Sequence, residues 1–284
     1  MKIAYQGEPG AFSEAAARRV AHEAPLVPCR SFDEAFDAVA SGKATHGCLP
    51  FENSIGGSIH RNYDLLLAHD LPIFAEVELP VVHHLLALPG ATLDGLRRVY
   101  SHPQGLAQCE RFLRTLSNVE IIATYDTAGS AKMVADAGAT DAAAIASARA
   151  GEVFGLTSLA ASVQDFDDNI TRFLLVGRAP LKDAVADKTS IVFSLPNEAG
   201  SLFKALSVFA LRGIDLTKLE SRPIPGRPWE YLFYVDLGIA RDEVACARAL
   251  AHLGEFASML RTLGTYPSWK THEGRMPDPF EVCS

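Results

Sequence analysis

Cysteine is scarce in this chain, with five residues among 284. The five never form a CxxC spacing or a Cys/His metal-binding spacing, so neither a disulfide framework nor a zinc site is expected. Long apolar segments are missing too, because no run reaches the roughly 18 residues that a membrane helix needs. The N-terminal segment MKIAYQGEPGAF lacks the apolar centre of a secretory signal. We therefore expect a cytoplasmic protein that does not enter a membrane.

Basic side chains are in the minority. Lysine and arginine total 26 against 34 aspartates and glutamates, which gives a formal net charge of −8. A broad electrostatic attraction to nucleic acid is not expected, and an anionic ligand must meet a local site. With 48% hydrophobic and 21% charged residues, the composition is that of a globular protein with more than one domain.

Short apolar segments alternate with alanine-rich segments of helical period from residue 2 to about residue 178. This alternation predicts α/β layers around a largely parallel sheet. The predicted strands are KIAYQG, ATHGCLPF, IFAEVELP, RVYSH, EIIATY and AAAIAS. The predicted helices span residues 12–22, 32–41, 63–68, 103–116 and 128–137.

Four predicted strand ends lead into polar, glycine-containing turns that precede a helix. Open α/β sheets bind ligands beyond the carboxyl ends of their strands, where helix N-termini present unpaired N–H groups. Glycine and proline also close turns that have no function, but recurrence with polar side chains favours one composite site. The four turns are YQGEPGAFSEAAA, PFENSIGGSIHRNYDLL, YSHPQGLAQCERFL and TYDTAGSAKMVAD.

The segment RAPLKDAVADKTS, residues 178–190, loses periodicity and collects charges, which predicts a linker. After it the elements read βαββαβ, a small split-βαβ sandwich. Such a sheet buries one face under two helices and leaves its other face and edges for pairing with a second copy.

The quoted turns, together and in this order, resemble the bacterial prephenate dehydratase family. The segment DNITRFLLV, residues 168–176, adds a further motif, and NEAGSLFKAL and LESRP resemble the regulatory ACT domain of the same family. The resemblance implies a two-lobed α/β catalytic domain, built like a periplasmic binding protein, over residues 1–180. It also implies an α+β, ferredoxin-like ACT domain over residues 188–268 and a peripheral tail over residues 269–284.

The implied activity is that of a carbon–oxygen lyase of phenylalanine biosynthesis, which converts prephenate into phenylpyruvate, water and carbon dioxide. The resemblance implies no metal or organic cofactor, regulation by phenylalanine, and a homodimer or homotetramer. We expect the chorismate mutase domain of some members to be absent. Two alternatives stay open: an arogenate dehydratase, and a non-catalytic amino-acid sensor built like a solute-binding protein.

Three residues of DNITRFLLV carry the implied chemistry. Hydroxide is a poor leaving group and needs a proton as it departs. In the family interpretation the donor is Thr171, which as a weak acid acts as a relay or hydrogen-bond donor inside a network. Arg172 pins a substrate carboxylate or tunes the field at Thr171, and Phe173 offers an apolar wall.

Glu52, Asn53 and Ser54 follow a predicted strand and are expected to orient the leaving hydroxyl. Glu52 would be held by Arg172 or neutralised by burial, and the sequence leaves both open. The expected substrate contacts are Ser101, Gln104, Thr127 and Asn169. Helix capping alone would also explain the first three.

Histidines are the default acid–base residues. His83 and His84 lie in an apolar segment, where packing is the favoured interpretation, and His102 is a secondary candidate. In the regulatory half, a strand-to-helix turn is expected to hold the carboxylate of phenylalanine. Its residues are Asn197, Gly200, Ser201 and Leu202, and Glu220, Ser221 and Arg222 of the family signature complete the expected effector site.

Overall fold

The computed structural model describes residues 1–179, 185–224 and 226–269. The chain forms two compact units. The first comprises Met1–Asp70 and Val77–Arg178, and the second comprises Leu71–Glu76 and the described residues after Arg178. The expected tail lies outside the described residues apart from Trp269, and the domain limits given above stay predictions.

The strands are labelled in chain order. They are β1 (Ile3–Gln6), β2 (Leu26–Cys29), β3 (His46–Asn53), β4 (Gly57–Ser58), β5 (Ile73–Pro80), β6 (His84–Ala87), β7 (Arg98–Ser101), β8 (Glu120–Ala123), β9 (Ala142–Ala146), β10 (Thr157–Ala160), β11 (Ile170–Gly177), β12 (Lys188–Ser194), β13 (Leu216–Pro223), β14 (Tyr231–Leu237) and β15 (Met259–Tyr266).

The helices are labelled in the same way. They are α1 (Phe12–Val20), α2 (Phe32–Ala40), α3 (His60–His69), α4 (Pro103–Ala107), α5 (Glu110–Leu113), α6 (Thr127–Ala137), α7 (Ala148–Phe154), α8 (Ser201–Ala210) and α9 (Val244–Gly254), with a 3-10 turn at Leu93–Gly95.

The first lobe of the first unit contains β1–β4, β11 and α1–α3. Strand β1 lies between β2 and β3 and runs parallel to both, whereas β11 runs antiparallel to β3. Almost every residue of β3 and β11 is buried, as expected for central strands covered on both faces. The carboxyl end of β3 therefore lies beside the start of β11, where Asn53 is the register partner of Thr171.

The second lobe contains β6–β10 and α4–α7, in the strand order β10-β6-β9-β7-β8. Strands β7, β8 and β9 are parallel, while β6 and β10 are antiparallel to their neighbours. Each sheet thus has a parallel centre with antiparallel additions, less parallel than the sequence predicted. The reason is that β6 and β11 each enter after the chain has passed from one lobe to the other, without a crossover helix.

The two lobes touch at a glycine that tolerates no side chain. Gly10 has a φ of +92°, and a Cβ there would lie 2.6 Å from the Cα of Ala150. Its carbonyl accepts a hydrogen bond from Ser147 Oγ over 2.6 Å. The Asp126 carboxylate also receives the backbone N–H of Glu8 over 2.9 Å. Loop and helix ends from both lobes therefore form one packed junction.

The described part of the second unit carries the predicted βαββαβ order, with an antiparallel sheet in the order β13-β14-β12-β15. Its core joins both helices to the central strands, through residues such as Phe193, Phe209, Val235 and Leu253. With a two-lobed α/β unit preceding it, the predicted fold class is confirmed.

Some predicted elements differ in detail. The helix predicted over residues 103–116 is two short helices, α4 and α5, separated at Gln108 and Cys109. The short strands β2, β6 and β10 were missed, because four-residue strands carry little periodic signal. No helix in the described residues is long and apolar enough to cross a membrane. Four cysteines are buried and unpaired, and Cys283 lies outside the described residues.

Candidate active site

A cavity of about 560 Å³ lies between the two lobes of the first unit. This volume is in the usual range for a small-molecule site. Its apolar walls include Phe12, Phe32 and Phe173. Its polar lining includes Asn53, Gln104, Gln108, Thr127 and Thr171. Apolar walls with a few placed polar groups suit a cyclic, oxygen-rich ligand.

Thr171 lies at the start of β11, on the strand face that lines the cavity. Because side chains alternate along a strand, Thr171 and Phe173 line the cavity and Arg172 does not. Thr171 is 8% exposed. The rigid strand thus holds one hydroxyl at the cavity wall.

The orientation of the Asn53 side chain determines the hydrogen bonding of Thr171. Asn53 Oδ1 accepts the backbone N–H groups of Ile55, over 3.1 Å, and of Gly56, over 2.7 Å. This fixes the amide, so that Nδ2 faces Thr171 Oγ1 at 3.0 Å and Asn169 Oδ1 at 2.7 Å. Thr171 Oγ1 therefore accepts a hydrogen bond, and its own proton has no acceptor among the described residues.

The network continues into the second lobe. Asn169 Nδ2 donates to Gln108 Oε1 over 3.0 Å, and His83 Nε2 lies 3.0 Å from the same oxygen. Because a carbonyl oxygen only accepts, His83 carries its proton on Nε2. Burial lowers the pKa of His83, opposed by its bond to Gln108, so the ring is neutral near pH 7. His83 Nδ1 is buried without a partner among the described residues.

Arg172 and Glu52 form an ion pair with 3.2 Å between Nη2 and Oε2. Arg172 Nη2 is also 3.5 Å from the Tyr63 hydroxyl. Neither member of the pair lines the cavity. The sequence left two states open for Glu52, and the geometry supports the one in which Arg172 holds it. The position of Arg172 outside the cavity lining does not support direct binding of a substrate carboxylate by Arg172.

Ser54 and Ser101 are also placed outside the cavity lining. Ser54 Oγ donates to the Asp168 carbonyl over 2.8 Å and accepts the Ile170 N–H over 2.9 Å, which holds the loop before β11. Ser101 Oγ is fully buried and donates to the Ile145 carbonyl over 2.7 Å. Both hydroxyls therefore support the backbone near the cavity.

Gln104 and Thr127 line the cavity, and Asn169 lies behind Thr171 in the network. As substrate contacts all three stay predictions. Gln104 belongs to the second lobe and approaches Gly56 of the first, where a Cβ would lie 2.1 Å from Gln104 Nε2. Thr127 begins α6, which Asp126 caps by accepting the Ala128 N–H over 3.0 Å. Predicted contacts from both lobes thus meet at one cavity.

Several cavity residues were missed or given no chemistry by sequence reasoning, namely Arg30, His83, Gln108 and Asp126. Gln108 lies inside a quoted motif, but the predicted continuous helix hid its position at a helix end. Burial raises the pKa of Asp126, while backbone N–H groups of Glu8 and Ala128 oppose this by favouring the carboxylate. His102 Nδ1 accepts the Gln104 N–H over 3.2 Å, which makes it a helix cap at the cavity edge.

The residues expected to bind an effector lie in two places of the second unit. Gly200, with a φ of +83°, precedes α8, and Asn197, Ser201 and Leu202 flank it on the turn and first helical residues. Strand β13 alternates in burial. Glu220 and Arg222 therefore share its half-buried face, and Ser221 lies on the opposite face.

A model of the family described as prephenate dehydratase matches residues 3–181, well over half of the chain. The chain belongs to the prephenate dehydratase family. A second family model, the ACT domain, matches residues 189–251. The predicted enzyme class, a decarboxylating carbon–oxygen lyase, is confirmed by this membership.

Individual relatives and solved structures are similar to this chain over most of its length. An Arabidopsis thaliana protein named arogenate dehydratase/prephenate dehydratase 2, chloroplastic, is 50% identical over 94% of this chain and 73% of its own length. The crystal structure of prephenate dehydratase in complex with L-Phe from Arthrobacter aurescens has a TM-score of 0.87 at 31% identity, over 95% of this chain and 91% of that one. GqqA, described as a novel type of quorum quenching acylase, has a TM-score of 0.86 at 35% identity, over 94% and 98%.

Two expectations change with these comparisons. The prediction of a cytoplasmic protein is wrong, because curated relatives are named as chloroplastic proteins. The resemblance to bacterial members is also too narrow, since relatives near 50% identity come from plants.

Proposed function

We propose that the chain converts prephenate into phenylpyruvate, water and carbon dioxide. In this reaction the bond from the ring to its carboxylate breaks, carbon dioxide leaves, and the electron pair enters the ring. The bond from the opposite ring carbon to the hydroxyl breaks, and the departing hydroxide takes up one proton to become water. The protein must therefore deliver a proton to that oxygen and hold a doubly charged substrate.

The observation that carries the proposal is the polarity of the Asn53–Thr171 hydrogen bond. Because the amide of Asn53 donates to Thr171 Oγ1, the threonine proton is available to a group in the cavity. A hydroxyl that donates into a cavity stabilises a departing hydroxide and relays a proton to it. Asn169, which precedes β11, and the neutral His83 and Gln108 of the second lobe maintain this polarity.

The apolar walls suit the other half of the reaction. Phe12, Phe32 and Phe173 supply flat surfaces for a ring that becomes aromatic. Removing water from the ring carboxylate favours its loss as carbon dioxide, because the charge is poorly solvated in the cavity and disappears from the ring during the step.

The test compares T171V with T171S. We expect T171V to lower kcat for phenylpyruvate formation by about 10²–10³-fold, the usual cost of one placed donor, and T171S to keep most of it. The free energy of unfolding of both variants should be within about 1–2 kcal/mol of that of the unchanged protein. A T171V enzyme with kcat within threefold of the parent would overturn the proposal.

Arogenate dehydration is the second candidate, favoured by the names of the plant relatives. Arogenate carries an ammonium group where prephenate carries a keto oxygen, and the ring is the same. Thr171 would perform the same step on either substrate. Measuring kcat/KM separately with each purified substrate distinguishes the two activities.

GqqA is described as an acylase. A role of Thr171 as the nucleophile of an acyl transfer fits this geometry less well. A nucleophilic hydroxyl needs an adjacent acceptor for its proton. The side-chain partner of Thr171 Oγ1 is the amide nitrogen of Asn53, which donates. The hydroxyl is therefore arranged to give a hydrogen bond and not to lose its proton to a base.

The second part of the proposal is inhibition by phenylalanine bound to the ACT domain of a homodimer or homotetramer. The L-Phe complex of the Arthrobacter aurescens enzyme supports the choice of effector. The exposed N–H groups at the start of α8 suit its carboxylate, and Glu220 suits its ammonium. Exposed apolar side chains on this unit, such as Phe203, Leu211 and Val244, support association.

Calorimetric titration measures the binding of phenylalanine, and the rate of phenylpyruvate formation with and without phenylalanine measures inhibition. Light scattering measures the size of the assembly. We expect binding to lower activity by about 5- to 150-fold and E220Q to weaken binding about tenfold. S221A, on the opposite face of β13, should change binding less than E220Q. Absence of bound phenylalanine in the unchanged protein would refute the regulatory part alone.

A further inference from the structure

We propose that Arg30 holds the side chain of the substrate and makes the enzyme prefer a keto acid to an amino acid. This inference deepens the proposed function and rests on it. It begins from a charge problem: prephenate carries two carboxylates, so its site needs a cation. Among the lysines and arginines that the structure describes, Arg30 alone lines the cavity.

The other nearby cations have different positions. Arg172 lies on the opposite face of β11, paired with Glu52. Lys132 Nζ is paired with Glu8 Oε2 at 3.3 Å and does not line the cavity. Burial lowers the pKa of His83, and His102 Nδ1 accepts the Gln104 N–H as a helix cap.

The backbone at Arg30 is fixed while its guanidinium stays available. Arg30 directly follows β2, and its N–H donates to Glu34 Oε2 over 2.8 Å. Ser31 caps α2 by accepting the Glu34 N–H over 3.1 Å. The Arg30 side chain is exposed, and its guanidinium has no hydrogen bond or ion pair within the described ranges.

The acidic residues of the lining do not neutralise Arg30. Asp33 is paired with Arg61. Asp126 accepts two backbone N–H groups, and burial raises its pKa. The guanidinium of Arg30 is therefore available to pair with an anionic group of a ligand.

The sheet order places Arg30 away from the reacting hydroxyl. In the order β2-β1-β3-β11, Arg30 follows β2, and Thr171 is the second residue of β11, at the same end of the strands. Three strand spacings separate them, about 14 Å. A ring with its hydroxyl at Thr171 fits this span when the side chain, which is attached at the opposite ring carbon, extends towards Arg30.

The chemistry of the reaction assigns Arg30 to the side chain and not to the ring carboxylate. A permanent cation on the ring carboxylate would stabilise the charge that must leave as carbon dioxide, which slows the step. Beside the substrate side chain, the Arg30 guanidinium can donate to the side-chain carboxylate and to the keto oxygen together. The same guanidinium repels the ammonium of arogenate.

Steady-state kinetics with prephenate and arogenate on R30Q, R30K and R30E test the inference. We expect R30Q to lower kcat/KM for prephenate on the order of tenfold, mainly through KM, because the site is partly solvated. The kcat/KM for arogenate should change less than threefold in R30Q and should rise in R30E. R30K should recover part of the prephenate activity. R149Q is the matched control, since Arg149 is paired with Glu152 outside the cavity.

The outcomes are separable. Equal loss for both substrates in R30Q, or unchanged KM for prephenate, overturns the inference and leaves the proposed function intact. A parent protein that uses arogenate and not prephenate overturns both the inference and the proposed prephenate activity, and leaves arogenate dehydration as the function. A parent protein that uses neither substrate contradicts the proposed function itself. If arogenate is not turned over, a KM for prephenate and an inhibition constant for phenylpyruvate that both rise in R30Q support the inference.

Discussion

The side-chain amide of Asn53 donates to Thr171 Oγ1 over 3.0 Å, while its own oxygen accepts two backbone N–H groups. The turn after β3 therefore determines which way the Thr171 hydroxyl points, although the two residues are 118 positions apart in the chain. Replacing the donor amide of Asn53 by an acceptor should remove catalysis, because the Thr171 hydroxyl would no longer donate into the cavity.

N53D replaces the donor by an acceptor, and it also sets a carboxylate oxygen against Asn169 Oδ1 and the Ile170 carbonyl, which lie 2.7 Å and 3.3 Å from Asn53 Nδ2 in the parent. One carboxylate oxygen still accepts the Ile55 and Gly56 N–H groups, and the other becomes an acceptor for Thr171. The threonine proton then turns towards the new carboxylate and away from the cavity. We expect kcat to fall about 10²–10³-fold, measured as phenylpyruvate formation.

The matched control is N118D, at an exposed left-handed position with a φ of +61° where aspartate is also tolerated. It should leave kcat unchanged. If N53D kept more than a third of the parent kcat, the polarity of the Asn53–Thr171 bond would not matter to turnover.

Arg172 is expected to support the site through Glu52 and not by contacting substrate. R172K keeps the charge but loses the planar fork that meets Glu52 and Tyr63. We expect the free energy of unfolding to drop by about 1–2 kcal/mol, with KM for prephenate within twofold of the parent. Chemical denaturation and steady-state kinetics measure the two quantities.

A tenfold higher KM in R172K with unchanged stability would show that Arg172 binds substrate directly. R98K serves as the control, because the exposed pair of Arg98 and Asp141, 2.7 Å apart, should contribute no more than about 1 kcal/mol.

His83 should make the first unit less stable in mild acid. Burial holds its folded pKa below the ordinary value of 6.5, so below pH 6.5 the unfolded chain binds a proton that the folded chain does not. The free energy of unfolding therefore falls as pH drops through this window and stops falling below the folded pKa. We expect H83Q, which keeps a donor for Gln108, to reduce this fall.

Urea unfolding at pH 7.5 and pH 5 measures the effect. H84Q is the comparison, since burial also lowers the pKa of His84, but this ring is closer to solvent and should account for less of the fall. An H83Q protein with the same loss of stability between the two pH values as the parent would rule out His83 as the titrating group.

The sequence predicted the parts of this molecule that depend on local pattern. The βαββαβ unit follows from alternating and helical periods. The cavity residues Asn53, Gln104 and Thr127 lie in polar turns at predicted strand ends, whereas Thr171 was assigned from the family resemblance. The resemblance gave both Thr171 and Arg172 a part in the chemistry. Alternation along β11 places them on opposite faces, which a stricter use of the period-2 rule would have shown.

Other features depend on contacts that no local pattern records. The bonds linking His83, Gln108, Asn169 and Asn53 join residues from four separate segments. Ser101 was expected at the substrate because of its motif, yet its hydroxyl is used by a carbonyl on β9. Arg30 follows a four-residue strand that contains a proline, and a strand this short carries no periodic signal that would place Arg30 at the cavity.

The second unit contains a buried ion pair whose loss should be costly. Lys188 Nζ lies 2.9 Å and 2.7 Å from the two carboxylate oxygens of Glu76, and Oε1 also accepts the Trp269 N–H over 3.0 Å. Both side chains are nearly inaccessible. Removing one partner leaves the other buried and uncompensated, so E76Q and K188M should each lower the free energy of unfolding by about 3–5 kcal/mol.

A double-mutant cycle separates the pair from its surroundings. Because E76Q/K188M removes both charges together, its loss should be smaller than the sum of the single losses by about 1–3 kcal/mol. The exposed Arg98–Asp141 pair, treated in the same way, should show a coupling below about 1 kcal/mol. Additive losses at Glu76 and Lys188 would mean that each side chain is stabilised by its other neighbours, and that the ion pair itself contributes little to the fold of this unit.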